Sequence, residues 1–520
     1  MHSDLIDALR DPARYPHPVD EVDVLETHIS WVLLAGDWVY KIKKPVDFGF
    51  LDFSTLALRE HFCREELRLN RRHAADLYDA VVAVTGAPEE PVLGGTGEPL
   101  EFAVRMHRFD QDSRFDQLLE AGRLAPGRMD ELAEELAALH ELAERAGPAG
   151  EFGTPAQVVA PMRDNFATLL DCVESPERRR LLNQLGQWTE AQFERLAGRL
   201  QERLEHGFVR ECHGDVHLGN VALLDDSTIL FDCLEFSPEL RWTDVIADLA
   251  FAVMDLRDRG AERLSWRLLD RYLARTGDYG GLDLLAFYTV YRAMVRAKVA
   301  ALSLADAADE AQRQHLAGEV DNYLALARSV ASTRRPALVL TCGVSGSGKS
   351  WLSERLVERP GLVRVRSDVE RKRLHGLAGH ASSDSGLGRG LYSAEATEKT
   401  YARLAELAEG IVRAGYPVLI DATFLEQDRR ARFAALAGEL EVAFGILACT
   451  AEVDVLKERI KGRVSRGKDA SEADLAVLAR QLEAVQPCAP GEGDLLTIDT
   501  GQPDAVDRAA GWLEELISGR

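Results

Sequence analysis

What this sequence lacks narrows the possibilities first. Its seven cysteines (63, 172, 212, 233, 342, 449 and 488) form no Cys-x-x-Cys pair and no metal-ligand spacing. A zinc module and a disulfide-stapled scaffold are therefore not expected, and scattered reduced thiols of a cytosolic protein are. No apolar run approaches the ~18 residues of a membrane-crossing helix, so no transmembrane span is expected. Met1 to Pro16 carries Asp4, Asp7, Asp11 and two arginines without an apolar stretch, which argues against a secretory leader. Basic residues are in deficit, 62 Lys and Arg against 86 Asp and Glu, for a net charge of −24. That balance favours solubility and disfavours nonspecific nucleic-acid or membrane binding, although a local basic patch can override it. The rest is ordinary for a globular chain, at 46% apolar and 28% charged. A length of 520 residues corresponds to roughly two to four domains.

Along the chain the pattern changes twice. Residues 29–34 and 38–42 are strand-like around an Ala35-Gly36-Asp37 turn, which predicts a hairpin. A charged helix is expected over about 55–75, and further strands over 81–85 and 100–107. From about Asp130 helical periodicity dominates, with apolar residues at 132, 136, 139 and 142. It lasts to about Ala331, broken by short strands at 221–224 and 228–231. Residues 332–336 (Ser-Thr-Arg-Arg-Pro) are a candidate linker, with Pro336 stopping the preceding helix. Strand candidates at 337–342, 362–365, 418–420 and 443–447 then alternate with helices, the pattern of a parallel α/β sheet. The expectation is an α+β bilobal domain over 1–331 and an α/β domain with a parallel sheet over 337–520. No internal repeat is present.

Two segments carry phosphate chemistry. The first is His213-Gly214-Asp215-Val216-His217-Leu218-Gly219-Asn220. Phosphoryl transfer needs a positioned hydroxyl, a base beside it and metal on the phosphates. Asp215 is placed to accept the hydroxyl proton, and Asn220 can reach Mg²⁺ from the other end of the loop. Asp232, after the apolar strand Ile229-Leu230-Phe231, is the candidate second metal ligand. Upstream, alternation puts Val39, Lys41 and Lys43 on one face of a strand. Lys41 is the candidate for the nucleotide phosphates, with Lys43 as the competing assignment. Its helix partner is Glu66, with Glu65 and Glu60 as alternatives. Met106, in the segment Val104 to His107, is assigned to the adenine-binding hinge.

These motifs resemble the aminoglycoside phosphotransferase and choline kinase branch of the kinase-like fold over about residues 20–330. His217 takes the place where protein kinases usually carry lysine. The resemblance implies a small-molecule hydroxyl acceptor, and it gives Asp248, in Asp248-Leu249-Ala250, a structural role under the catalytic loop. There is no Gly-x-Gly-x-x-Gly loop, so residues 27–30 would cover the phosphates. Asp232-Cys233-Leu234-Glu235 replaces Asp-Phe-Gly, and Glu235 is open to a metal-assisting or a structural role. His213 is assigned to holding the loop.

The second segment is Gly343-Val344-Ser345-Gly346-Ser347-Gly348-Lys349-Ser350, a Walker A loop after a short apolar strand. Backbone N–H groups from Gly343, Ser345, Gly346, Ser347 and Gly348 would close on phosphate oxygens. Lys349 would neutralise them, Ser350 would hold Mg²⁺, and the helix that follows would direct its positive end at the anion. Asp421, ending an apolar strand, is a candidate to bind Mg²⁺ through water or to order the site. Asp368 and Arg371 fall one helical turn apart, suited to an acceptor base and an acceptor clamp. The basic stretch Lys457, Arg459, Lys461, Arg463, Arg466 and Lys468 is expected to be a lid whose Arg459, Arg463 and Arg466 reach the nucleotide. A solvated helix face or a nucleic-acid patch are the other readings.

This half resembles the gluconate kinase, polynucleotide 5′-hydroxyl kinase and zeta-toxin group over about 337–500. The order of the halves resembles a bacterial family joining an aminoglycoside-phosphotransferase-like domain to a P-loop kinase-like domain. The expectation is a cytoplasmic ATP- and Mg²⁺-dependent tandem phosphotransferase acting on small-molecule hydroxyls, with one nucleotide site per domain. The alternatives are an N-terminal nucleotide sensor that regulates the P-loop half, and a nucleic-acid 5′-hydroxyl kinase. Neither acceptor nor oligomeric state is legible.

Overall fold

The computed structural model describes residues 2–49, 51–147, 151–332, 335–359, 361–377, 393–466 and 473–519. Its contacts divide into two compact units: 1–255 with 291–321, and 256–290 with 322–520.

The first unit opens on a six-stranded sheet. Its strands are β1 (Val22–Glu26), β2 (Ser30–Ala35), β3 (Trp38–Lys43), β4 (Tyr78–Ala87), β5 (Glu90–Leu93) and β6 (Glu101–His107), in the order β1-β2-β3-β6-β4-β5. Every pairing is antiparallel. β1 and β5 were not expected. Both are edge strands, short or largely exposed, and so carry a weak alternation signal. The β2–β3 hairpin turns at Gly36, whose φ of 60° suits glycine. One face of the sheet is sealed by Leu33, Tyr40, Ile42, Val84 and Ala103, packed with Leu5 and Ile6 of the N-terminal helix His2–Ala8 and with Leu9 just after it. The other face takes the helix Leu56–Asn70 across β4 and β6. That helix starts at Thr55, whose hydroxyl accepts the Leu58 N–H, a standard N-cap.

Helices then predominate. Among them run β7 (Val209–Glu211), β8 (Val221–Leu224), β9 (Ser227–Leu230) and β10 (Trp242–Asp244), paired as β7–β10 and β8–β9. The catalytic-loop segment lies between β7 and β8, and Asp232 follows β9. The helix Val245–Asp258 comes next and is almost wholly buried.

The second unit holds a five-stranded sheet of β11 (Ala337–Cys342), β12 (Val363–Arg366), β13 (Val418–Asp421), β14 (Ala443–Thr450) and β15 (Asp494–Asp499). Its order is β12-β13-β11-β14-β15, and all pairs are parallel. β11 is buried at every position, as a central parallel strand flanked by helices must be. The chain leaves β11 toward β12 and β13 on one side and returns for β14 and β15 on the other. That reversal opens a crevice at the carboxyl ends of the strands, where such sheets bind ligands. β15 carries a single buried residue, Ile498, and was not expected. Residues 256–290 pack within this unit. The helix Glu262–Thr276 presents Asp270 to Arg364 of β12 at 2.6 and 3.1 Å, with both side chains buried.

Candidate active sites

In the first unit the loop of residues 213–220, the candidate catalytic loop, is held from beneath by buried carboxylates. Asp248 accepts the His213 and Gly214 N–H groups, each at 2.8 Å. Asp255 accepts the Leu218 N–H at 2.8 Å. Seven residues make about two helical turns, so one helix face supplies both carboxylates. Asp248 was anticipated; Asp255 was missed, although that spacing is visible in the sequence. His213 is fully buried, with Nε2 donating to the Phe231 carbonyl at 3.0 Å and Nδ1 accepting the Asp215 N–H at 3.3 Å. It holds the loop, as expected.

Asp215 and Asn220 meet across the loop. Asn220 Nδ2 donates to the Asp215 carbonyl at 3.0 Å and to its Oδ2 at 3.1 Å. His217 Nδ1 accepts the Gly219 N–H at 3.1 Å, which puts the ring proton on Nε2, 3.5 Å from Asp215 Oδ2. Burial works to raise the Asp215 pKa, but His217, His213 and Arg296 outweigh it and hold it at about 2. Asp215 is therefore a carboxylate throughout the neutral range.

Asp232 sits at φ 61°, a left-handed conformation costly for a non-glycine residue. The strain is met by fixed partners, since its N–H donates to the Tyr78 hydroxyl and the next N–H, of Cys233, donates to Asn70 Oδ1. Asp232 Oδ1 lies 2.5 Å from Lys41 Nζ, and Lys41 lies 3.0 Å from Glu66 Oε1. Lys43 lies behind, fully buried between Glu66 Oε2 at 2.7 Å and Glu235. Lys41 is thus the lysine that faces Asp232, and Lys43 a second buried ammonium sharing Glu66. Glu65 turns instead to Arg68 and Arg241, and Glu60 to Arg64. Burial would raise the Glu66 pKa, but the two lysines bring it to about 2. Burial dominates at Glu235 and raises it. Glu235 is therefore part of the lysine network, a role its sequence position left open.

Met106, the expected hinge residue, lies within the sheet. Met106 lies inside β6, opposite Val39 on one side and Tyr78 on the other. The next two N–H groups, of His107 and Arg108, donate to the Leu77 and Asp37 carbonyls. Strand pairing therefore encloses the Met106 main chain on both sides.

Two His/Cys/Asp clusters adjoin this loop, His73–His213–Cys233 and His140–Cys212–Asp248. His213 and Asp248 already spend their polar atoms on the loop. Mg²⁺ prefers hard oxygen donors, and these clusters brace the loop instead. The oxygens of Asp232 and Asn220 fit Mg²⁺ better. Asn220 commits its amide nitrogen to Asp215, which turns its carbonyl oxygen to the other side.

Two predictions arise here. Glu66→Ala leaves two buried ammonium groups short of a carboxylate and is expected to destabilise this unit by about 3–5 kcal/mol, read from chemical denaturation. His73 is held neutral by burial first and by the neighbouring His213 and Arg72, well below the ordinary 6.5. A histidine that protonates less readily folded than unfolded contributes stability above about pH 6.5 that is lost as pH falls. Melting temperature should drop between pH 7 and pH 5.5, and His73→Phe should make that drop shallower.

In the second unit the phosphate loop follows β11. Gly343, Gly346 and Gly348 adopt φ of 146°, 83° and 87°, all in the glycine region. The helix Lys349–Val357 begins at once. Lys349 is buried, and Nζ donates to the Val344 carbonyl at 2.9 Å, folding back over the loop. Its pKa is lowered, by burial first, against the pull of Asp421 and Asp368. The Ser347 hydroxyl is buried with no protein partner, and a Cβ on Gly343 would lie 2.6 Å from it. A glycine-built cradle with an orphaned hydroxyl and a buried lysine suits a phosphate chain. Ser350 opens the helix beside Lys349 and is partly exposed. Asp421, ending β13, accepts the Ser353 hydroxyl at 3.1 Å and lies 3.9 Å from Arg366.

Asp368 stands in the first turn of the helix Ser367–Leu374 and is partly exposed. Arg371 is mostly buried and donates to the Thr397 hydroxyl at 3.2 Å. Arg459, the first of the expected lid arginines, bonds to the phosphate loop itself. It donates to the Gly346 carbonyl at 3.2 Å and to the Thr500 hydroxyl at 2.8 Å. The helix Val453–Arg466 runs against the loop, so Arg459 buttresses the loop's main chain and does not arch over it. The Arg463 and Arg466 side chains and Lys468 lie outside the described residues. Sequence reasoning missed Thr500, which donates to the Ser347 carbonyl at 2.8 Å, and Gln481, whose Oε1 accepts the Ser345 N–H at 2.7 Å. Neither belongs to a motif, and both reach the loop from far along the chain. A Cβ on Gly348 would lie 2.5 Å from the Thr500 hydroxyl. Gly348→Ala is therefore expected to cost about 1–3 kcal/mol through backbone strain and to abolish ADP binding at this loop, read by calorimetry.

Comparison with known proteins follows the same division. Residues 66–285 match a family described as "Phosphotransferase enzyme family", and residues 338–488 one described as "AAA domain". Uncharacterized proteins of Mycobacterium tuberculosis and Mycobacterium bovis are 33% identical over 475 residues, covering 90% of this chain and 92% of theirs. A choline/ethanolamine kinase family protein from Mesorhizobium loti is 14% identical, covers 63% of this chain and 100% of its own, and superposes with a TM-score of 0.37. A gluconokinase from Sinorhizobium meliloti is 24% identical, covers 36% of this chain and 96% of its own, with a TM-score of 0.26.

Proposed function

Because this chain belongs to the family that the mycobacterial proteins represent, a phosphotransferase-type domain followed by an AAA-type P-loop domain, we propose that it is an ATP- and Mg²⁺-dependent tandem phosphotransferase. The N-terminal half phosphorylates a hydroxyl of a small molecule, and the P-loop half, over 337–520, phosphorylates a second hydroxyl acceptor. The observation that carries this reading is the meeting of four separate stretches of chain: Lys41, Glu66 and Asp232 pair with one another, Asn220 bonds to Asp215, and the Phe231 N–H beside Asp232 donates to the Asn220 carbonyl.

Each residue has a role consistent with its surroundings. Asp215, ionised and oriented by Asn220, aligns the acceptor hydroxyl and takes its proton. Lys41, held by Glu66, offers its charge to the nucleotide phosphates. Asp232 and Asn220 are the oxygen ligands for Mg²⁺, which supplies charge neutralisation on the phosphates. In the second half, the loop amides, Lys349 and the Ser347 hydroxyl bind the phosphate chain, with Ser350 and Asp421 as the Mg²⁺ oxygens. Asp368 is the acceptor base, and Arg371, tied to Thr397, is the acceptor clamp. Small molecules are favoured over nucleic acid by the net charge of −24.

The test is γ-phosphate transfer from labelled ATP to a library of metabolites, nucleosides and oligonucleotides, with wild type beside Asp215→Ala and Lys349→Ala. Products lost separately in the two variants support two kinases and identify their acceptors. If Asp215→Ala changes no product while Lys349→Ala abolishes all of them, the N-terminal half is a sensor and the tandem reading is wrong.

A further inference from the structure

We propose that Cys342 and Cys488 form an oxidisable dithiol, a reversible peroxide-modification site at the root of the phosphate loop. The two sulfurs lie 3.1 Å apart, although 146 residues separate them in sequence. Both cysteines are unbridged. Cys342 is the last residue of β11, immediately before Gly343, and is buried. Cys488 is partly exposed and gives a small oxidant a route to the pair.

The surroundings favour a thiolate at one sulfur. Arg430 is buried beside the pair, fixed by the Phe424, Gln486 and Pro487 carbonyls and by Glu492. The Cys488 thiol and then the charges of Arg430 and Lys349 draw the Cys342 pKa down, while its partner's is pushed up. A thiolate with a neighbouring thiol is the arrangement that oxidises selectively. The Cys342 thiolate attacks one oxygen of hydrogen peroxide, the O–O bond breaks, and hydroxide leaves, giving a sulfenic acid. The Cys488 sulfur, as it loses its proton, attacks the sulfenic sulfur and expels its hydroxyl group as water. In sum, two thiols and one peroxide give one disulfide and two waters.

A disulfide needs an S–S separation of about 2.05 Å, so the sulfurs must close by roughly 1 Å. There is little slack on the β11 side. The Gly343 N–H donates to the Thr423 carbonyl at 3.0 Å, and a Cβ on Gly343 would lie 2.5 Å from the Cys449 carbonyl oxygen. The Cys488 loop is held through Arg430 and by the Gln486 N–H donating to Leu425. The bond would therefore tie the start of the phosphate loop to that anchored loop.

The full chain is reduced, freed of reductant and treated with hydrogen peroxide at low molar excess. Thiols are then counted under denaturing conditions, and peptides are mapped by mass spectrometry. The wild-type count is expected to fall by two from the seven cysteines of the sequence. One linked peptide pair should contain residues 342 and 488, and dithiothreitol should restore the full count. In Cys488→Ser no linked pair should form, and Cys342 should be trapped by dimedone as the sulfenic acid. A reduced-state melting curve matching wild type shows that this variant is folded; if it is not, Cys488→Ala replaces it. The proposal is overturned if, in the wild-type chain, the pair stays reduced while other cysteines oxidise, or if either sulfur gains oxygen without linking. Linkage of either one to a different cysteine also overturns it.

Discussion

Asp215→Asn is expected to lower phosphoryl transfer by the N-terminal half about 10²–10⁴-fold while leaving ATP binding within a few-fold of wild type. Asparagine preserves the shape of the side chain but cannot take a proton. The residues proposed to hold the nucleotide, Lys41, Glu66 and Asp232, are not bonded to the Asp215 side chain and remain in place. The loop itself hangs from Asp248 and Asp255 through main-chain bonds, which the substitution does not touch. The loss should therefore appear in kcat and not in the dissociation constant for ATP. Because Asp215 already stands at about pKa 2, wild-type kcat should show no acid limb from this group between pH 5 and pH 8. A variant that loses ATP binding in parallel with rate would place Asp215 in a structural role.

Lys349→Ala is expected to remove all transfer that depends on the P-loop half, a fall of at least about 10²–10³ in kcat, the scale of losing one preorganised charge or donor at a developing oxyanion. Its effect should exceed that of a surface lysine because Lys349 is buried and already partly desolvated, so its charge acts at short range in a medium of low dielectric. The Lys349 side chain also bonds back to the Val344 carbonyl. Removing it loosens the loop as well as the phosphate contact, and ADP affinity should fall along with rate. N-terminal products should be unchanged in this variant. If they fall too, the two sites are coupled.

Much of both sites was legible because tight loops are encoded locally. In His213 to Asn220, candidate base, candidate metal ligand and loop anchor lie within eight consecutive residues. In Gly343 to Ser350, the glycines that permit left-handed backbone and the lysine that follows are contiguous. Period-two alternation put Lys41 and Lys43 on one strand face, but it could not say which of them meets Asp232, 191 residues away, because that depends on how the sheet is laid on the rest of the unit. At Met106 and Arg459, too, the surroundings were not legible. Each falls in the expected segment, yet strand register encloses the Met106 main chain, and helix docking sends Arg459 under the loop.

The sequence by itself determined where two local loop motifs lie, the order of an α+β and an α/β half, and the deficit of basic charge, because these follow from composition, spacing and short-range periodicity. Tertiary structure alone decided which distant side chains complete the loops. Thr500 and Gln481 secure the phosphate loop, Asp255 holds the catalytic loop, residues 256–290 pack with the second unit, and Cys342 meets Cys488. Such pairings are fixed by packing and by the need to satisfy buried polar groups once the chain has closed on itself, and no local pattern of residues records where that closure brings them together.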